Sequence, residues 1–224
     1  MAHLAPRADA VFIDPARRHG QRRVRRGSEY SPPLSLVHQL RRRVANVVVK
    51  VSPAVPEEDL NGADKLNFIS YAGQCREAIL YFGPLACGGR SAVVLPGPHI
   101  LEATVSPPEV EVAPVGKYLY DPDPVVVRAH VVKELAAALD VWKVSPFSAY
   151  LSGDRELQSP FARTYAVLES LPYNRRRLLD LVACMPTRSR SGGSLSTLPK
   201  SYGSSANGEI PASFGDLTPA TGTT

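Results

Sequence analysis

Asp14 is the residue of this chain best placed to do chemistry. It stands in Ala8 to Arg18, ADAVFIDPARR, where the apolar block Ala10, Val11, Phe12 and Ile13 stops at Asp14-Pro15 and runs into Arg17 and Arg18. Proline has no N–H to give to a ladder, so the block reads as a buried strand that ends in a polar tip. Open α/β sheets bind ligands outside the carboxyl ends of their strands. A carboxylate at such a tip can accept a hydrogen bond from a ligand N–H or act as a weak base. Arg17, Arg18, Arg22, Arg23, Arg25 and Arg26 crowd beside it. Each guanidinium can fork onto phosphate oxygens, which suits phosphate or nucleic-acid contacts; a solvated charged loop is the other reading.

The basic character is local. Residues 1–50 hold eleven Lys/Arg against three Asp/Glu, a net +8, and the other 174 of the 224 residues carry −3. Cys75, Cys87 and Cys184 are odd in number and lack CxxC spacing, which argues against a disulfide framework or a zinc site. The five histidines show no HExxH or paired spacing, so no metal is expected. No apolar run approaches the roughly 18 to 20 residues that cross a bilayer, and MAHLAPRADA lacks the apolar region of a signal peptide. The expectation is a cytoplasmic chain with no membrane partner. Oligomeric state is left open.

Several elements must position Asp14. Ser31-Pro32-Pro33 predicts a helix start, with Leu34, Val37, Leu40 and Val44 at near-helical spacing and Arg41, Arg42 and Arg43 near its end. Val47 to Val51, VVVKV, predicts a second buried strand that carries Lys50 and stops at Ser52-Pro53. Strand, basic loop, helix, strand favours a parallel crossover. Leu66 to Tyr71, Glu77 to Phe82 and Ser91 to Leu95 read as three more strands joined by short turns, an antiparallel addition. Val105 to Pro114 reads as a linker. Asp123-Pro124 caps a predicted helix through Val127, Val131, Leu135 and Leu139, and Ser159-Pro160 opens another with Phe161, Tyr165 and Leu168. Ser145 to Leu151 is a strand candidate between them. From Pro186 to Thr224, 24 of 39 residues are Ser, Thr, Gly or Pro, so the composition predicts disorder.

At ADAVFIDPARR, SEYSPPLSLV, VVVKVSP, PVGKYLYDPDPVVVRAHVV and SPFARTYAVLESLPY the chain resembles a bacterial family of THUMP-like-domain proteins with a class I S-adenosylmethionine-dependent methyltransferase core. The five blocks keep the same order over roughly residues 8 to 182. The resemblance implies an α/β fold, the C-terminal part of a Rossmann-like class I methyltransferase sheet, followed by a small α+β module and a disordered tail. The implied boundaries are 1–104 for the C-terminal half of the methyltransferase core, 105–114 for the Pro-rich linker, 115–184 for the module and 185–224 for the tail.

In that family DPARR ends the fourth core strand. The resemblance therefore makes Asp14 and Pro15 the catalytic residues, Asp14 accepting a hydrogen bond from the target nitrogen and the Pro15 turn holding a backbone carbonyl toward it. Arg17, Arg18, Arg22, Arg23 and Lys50 become contacts to the substrate or nucleic acid. S-adenosylmethionine is the implied cofactor and RNA the implied partner. The family builds its cofactor site on the first three core strands, with a glycine-rich turn after the first and an acidic residue after the second. Neither precedes Ala8, so no cofactor-binding residue is assigned, and the tail stands where the THUMP-like domain belongs. The implied function is an RNA methyltransferase represented by a partial chain, with its activity alone left open. The alternatives are a non-catalytic nucleic-acid-binding fragment and a truncated or frameshifted product without function.

Overall fold

The structure, a computed structural model, describes residues 8–19, 22–177, 179 and 217–219. In chain order the first elements are β1 (Ala10–Ile13), β2 (Arg18–His19), β3 (Arg22–Arg23), α1 (Leu36–Leu40) and β4 (Asn46–Val51). Then come β5 (Lys65–Tyr71), β6 (Gln74–Phe82), β7 (Arg90–Leu95) and β8 (His99–Glu102). The remainder are β9 (Tyr118–Pro122), α2 (Pro124–Arg128), α3 (Val132–Leu139), β10 (Trp142–Lys143), β11 (Leu151–Gly153), β12 (Ala162–Val167) and β13 (Leu217–Pro219).

A six-stranded sheet runs β1-β4-β6-β5-β7-β8. The strand, loop, helix, strand unit is a parallel pair, with Ala10 opposite Asn46 and Ile13 opposite Val49. The three strands predicted after it are present as β5, β6 and β7. Their addition is mixed: β6 is antiparallel to β4 and β5, while β5 and β7 are parallel. Ala72 (φ 52) and Gly73 (φ 71) close the two-residue turn between β5 and β6, where both central residues need positive φ. The second sheet runs β10-β11-β9-β12-β13. α2 touches both β5 and β7 of the first sheet and β9 of the second. One continuous core joins Val47, Val49, Phe68 and Leu80 to Tyr120, Val125, Leu135 and Leu151.

Several sequence expectations are corrected. β1 is not buried on both faces, because β4 is its pairing partner among the described residues and Phe12 stands 61% exposed at the sheet edge. β4 buries Val47, Val49 and Val51 on one face and leaves Val48 and Lys50 half-buried on the other. The helix after the arginines starts at Leu36, not at Ser31. Ser31 exchanges two backbone hydrogen bonds with Ala16 (2.8 and 3.0 Å), which holds it extended.

The helix capped by Asp123 is real, with the carboxylate accepting from Val125 N–H at 3.0 Å, but it breaks after Arg128. His130 takes φ 62, and α3 then starts at Val132. The helix expected from Ser159-Pro160 is a strand instead. Five of its six residues pair along β9 from Ala162 opposite Pro122 to Ala166 opposite Tyr118, so tertiary pairing overrides the local reading. Ser145 to Tyr150 is a loop around Pro146, and only Leu151 enters a strand. Glu111 and Ala113, in the Pro-rich interval, are hydrogen bonded to Lys143. In the tail Leu217–Pro219 pairs with β12. The rest of the segment expected to be disordered lies outside the described residues.

Candidate functional site at the β1 and β4 tips

Asp14 and Lys50 sit side by side because the parallel register of β1 and β4 extends one residue past Ile13 and Val49. The Lys50 ammonium donates to Asp14 Oδ2 at 2.9 Å. It also lies 3.7 Å from Glu77 Oε2, which β6 brings up from the other side of β4. Three neighbouring strands thus line up a carboxylate, an ammonium and a carboxylate. The Asp14 side chain remains 50% exposed, so the free side of the carboxylate faces solvent. Asp14's hydrogen bond holds the Lys50 ammonium above its ordinary value of 10.5, helped by the Asp14 and Glu77 charges and opposed by burial and Arg17.

The loop beyond Asp14 is anchored. Pro15 and Val24 are buried, Val24 N–H donates to Arg17 C=O at 3.0 Å, and Gly27 N–H donates to Asp59 Oδ2 at 2.8 Å. A side chain at Gly27 would run into Leu34, with a Cβ only 2.3 Å from its Cδ1. Buried Tyr30 accepts from Ser52 N–H at 3.3 Å, tying the loop to the turn after β4. On this base Arg18, Arg22, Arg25 and Arg26 are exposed, while Arg17 is half-buried with Nη1 enclosed and lacking a hydrogen-bond partner. The side chain of Arg23 is outside the described residues. The structure therefore brings together Asp14, Pro15, Arg17 and Lys50, with Arg18 and Arg22 on the adjoining β2–β3 ribbon.

Glu77 was invisible as a site residue in the sequence, where it is simply the polar start of EAILYF. A second charged group also escaped notice. Glu57 pairs with Arg90 and with Arg128, the latter at 2.5 Å. Arg128 donates to the carbonyls of Pro53 (2.8 Å) and Val55 (2.7 Å) and lies 5.1 Å over the Phe68 ring. Burial and the Arg128 charge push the Arg90 guanidinium down. This cluster fastens the loop after β4 to α2.

A cleft of about 330 Å³ lies between the sheets, lined by Gly73, Leu95, Asp121, Asp123 and Arg163 among others. It includes none of the β1 and β4 tip residues. Among the described residues no group of His, Cys, Asp and Glu is placed to hold a metal, and no helix is long and apolar enough to cross a membrane.

No protein-family model matches the chain. Two curated sequences do, both named as uncharacterized S-adenosylmethionine-dependent methyltransferases, from Mycobacterium tuberculosis strains CDC 1551 / Oshkosh and ATCC 25618 / H37Rv. Each is 37% identical over 190 residues, covering 82% of this chain and 51% of the relative. The chain thus spans about half the length of the curated relatives it matches. Among solved structures, the crystal structure of a candidate methyltransferase from Porphyromonas gingivalis W83 is similar, with a TM-score of 0.59 and 22% identity over 80% of this chain and 48% of that one. That likeness concerns the fold.

The relatives' names imply S-adenosylmethionine as their cofactor. The described tips do not form a cradle for it: the turn after β1 is Asp14-Pro15-Ala16 and the one after β4 is Ser52-Pro53, both without glycine. Proline at the second position of each removes an N–H that a ligand could use. What the tips offer is an acceptor for a ligand N–H, beside guanidinium groups.

Proposed function

We propose that this chain carries the acceptor side of an S-adenosylmethionine-dependent methyltransferase that modifies RNA in the cytoplasm. The observation that carries this reading is the half-exposed Asp14 carboxylate at the carboxyl end of a parallel strand, in a chain 37% identical to proteins named for that chemistry. S-adenosylmethionine supplies an electrophilic methyl group. The residues of this chain act on the nucleophile: Asp14 accepts a hydrogen bond from the target N–H, and the buried Pro15 fixes the turn that aims it. Holding the nucleophile in line is the main source of acceleration in such a transfer.

Phosphates of the RNA would lie on the arginines. The exposed guanidinium groups of Arg18, Arg22, Arg25 and Arg26 can each fork onto phosphate oxygens. Arg18 and Arg22 extend the same surface, and Lys50 stands at its inner edge. The finer placement among class I methyltransferases with a THUMP-like domain rests on the five sequence blocks, as do the boundaries at 104, 114 and 184.

Calorimetric titration of S-adenosylmethionine into the 224-residue chain, followed by transfer of labelled methyl to total RNA, tests this reading. Binding together with transfer that disappears in Asp14→Ala supports it; a folded chain that binds neither ligand overturns it. RNA binding without S-adenosylmethionine binding favours a second reading, a non-catalytic nucleic-acid-binding fragment, for which the +8 charge of residues 1–50 speaks. Its affinity would fall steeply with salt, by about 0.7 to 0.9 log units per log unit of salt for each phosphate neutralised.

A further inference from the structure

We infer that Lys50, clamped between Asp14 and Glu77, is the positioning residue that aims Asp14 at the nucleophile, with Glu77 anchoring Lys50 from behind. The inference rests on the methyltransferase reading and changes what Lys50 does within it. An ammonium that reached for substrate would project past the strand tips with its donors open. This one donates to Asp14 Oδ2 at 2.9 Å and lies 3.7 Å from Glu77, with its side chain 27% exposed.

Geometry fixes the order of the three groups. Lys50 is on the central strand of β1-β4-β6, so its side chain can reach a neighbour on either flank. Asp14 lies just beyond the last paired residue of β1, at the end of the strand. Its carboxylate needs an outside partner to hold one rotamer, and Lys50 is that partner. Only Oδ2 is engaged by Lys50, which leaves Oδ1 for a ligand. Asp14 orients the target N–H through Oδ1, and the proton displaced as the nitrogen takes the methyl group passes to solvent. Arg17 is the other charge that acts on Lys50.

The test uses the whole chain and NMR of the Lys50 ammonium and the Asp14 carboxyl carbon. Lys50 is expected to titrate above 10.5, to fall back in Asp14→Asn, and to fall less in Glu77→Gln. The Asp14 resonance should move in Lys50→Met and return in Lys50→Arg, which can bridge the same two carboxylates. In the transfer assay Lys50→Met should lower kcat about 10- to 100-fold with the KM for RNA within about twofold, and Lys50→Arg should restore most of it. An Asp14 signal indifferent to Lys50, or a Lys50 variant that raises KM alone, overturns the inference while transfer by the wild-type chain keeps the methyltransferase reading. An intact Lys50 signature in a chain that transfers no methyl group defeats that reading, and the positioning role falls with it.

Discussion

Two charged triads, both made by neighbouring strands and loops, differ in an instructive way. Asp14–Lys50–Glu77 places one cation between two carboxylates, whereas Arg90–Glu57–Arg128 places one carboxylate between two guanidinium groups. Exposure barely separates them: Lys50 is 27% exposed, Arg128 24%, Asp14 50% and Glu57 41%. Hydrogen-bond saturation separates Arg128 from Asp14. Arg128 uses its three nitrogens on Pro53, Val55 and Glu57 and stacks over Phe68, so there is little left to offer a ligand. Asp14 keeps one oxygen clear at the end of a strand. Arg128, fully engaged, reads as structure and the half-free Asp14 as a site, while Arg90 keeps its Nη1 enclosed without a hydrogen-bond partner.

The largest effect expected from breaking this contrast is on stability. Arg128→Ala removes the guanidinium from two carbonyls and a carboxylate, and should cost about 3 kcal/mol, lowering the melting temperature by roughly 10 °C in calorimetry. Arg128→Lys should recover a minor part, because the donors of an ammonium sit on one nitrogen and cannot match the three separate positions that Nε, Nη1 and Nη2 occupy. Asp14→Asn should do the opposite: methyl transfer to RNA falls about 100-fold while the melting temperature stays within about 2 °C. Equal melting losses in Arg128→Ala and Asp14→Asn would erase the contrast.

Cysteine labelling sharpens it further. Cys75 lies in the electrostatic reach of Arg128, and burial first, then the Asp123 charge, push its thiol up to about 11. Cys87 is exposed. Peptide mapping after iodoacetamide at pH 8 should show Cys87 modified at least about tenfold faster than Cys75, with the gap widening in Arg128→Ala, because the Arg128 charge holds the Cys75 thiol down.

The smallest effect is on alkaline stability. Lys50 titrates higher in the folded chain than in the unfolded one, so its stabilisation is complete below 10.5 and drains away as pH rises through the folded value. Cys75 acts in the same direction, since the unfolded thiol ionises near 9 and the folded one near 11. Urea midpoints measured from pH 8 to 11 should therefore fall, and fall less in Asp14→Asn.

The β1 strand, its polar tip and β4 were legible because a short apolar block cut off by Asp-Pro or Ser-Pro has few other local solutions. The Asp123 cap was legible for the same reason: side-chain capping is a contact over two residues. What failed was where distant pairing decides. Ala162–Val167 looks like a helix continuing from Ser159-Pro160 until β9 lies beside it. Ser31 looks like a helix cap until Ala16 takes both of its backbone groups. Arg17 and Lys50 were singled out in sequence, but nothing there could pair Lys50 with Asp14, 36 positions away, or add Glu77.

By itself the sequence determined that β1, β4, β5, β6 and β7 could be strands, where the positive charge is concentrated and which carboxylate ends a strand. These depend on apolar runs, on proline's missing N–H and on residue type, all local properties. Only the tertiary structure decided that β4 would lie between β1 and β6, and so that one lysine would stand between two carboxylates. It also decided that Arg128 would be consumed by the loop after β4. Strand order and register are set by burial of Val47, Val49 and Val51 against a shared core, a cooperative choice made by the whole chain.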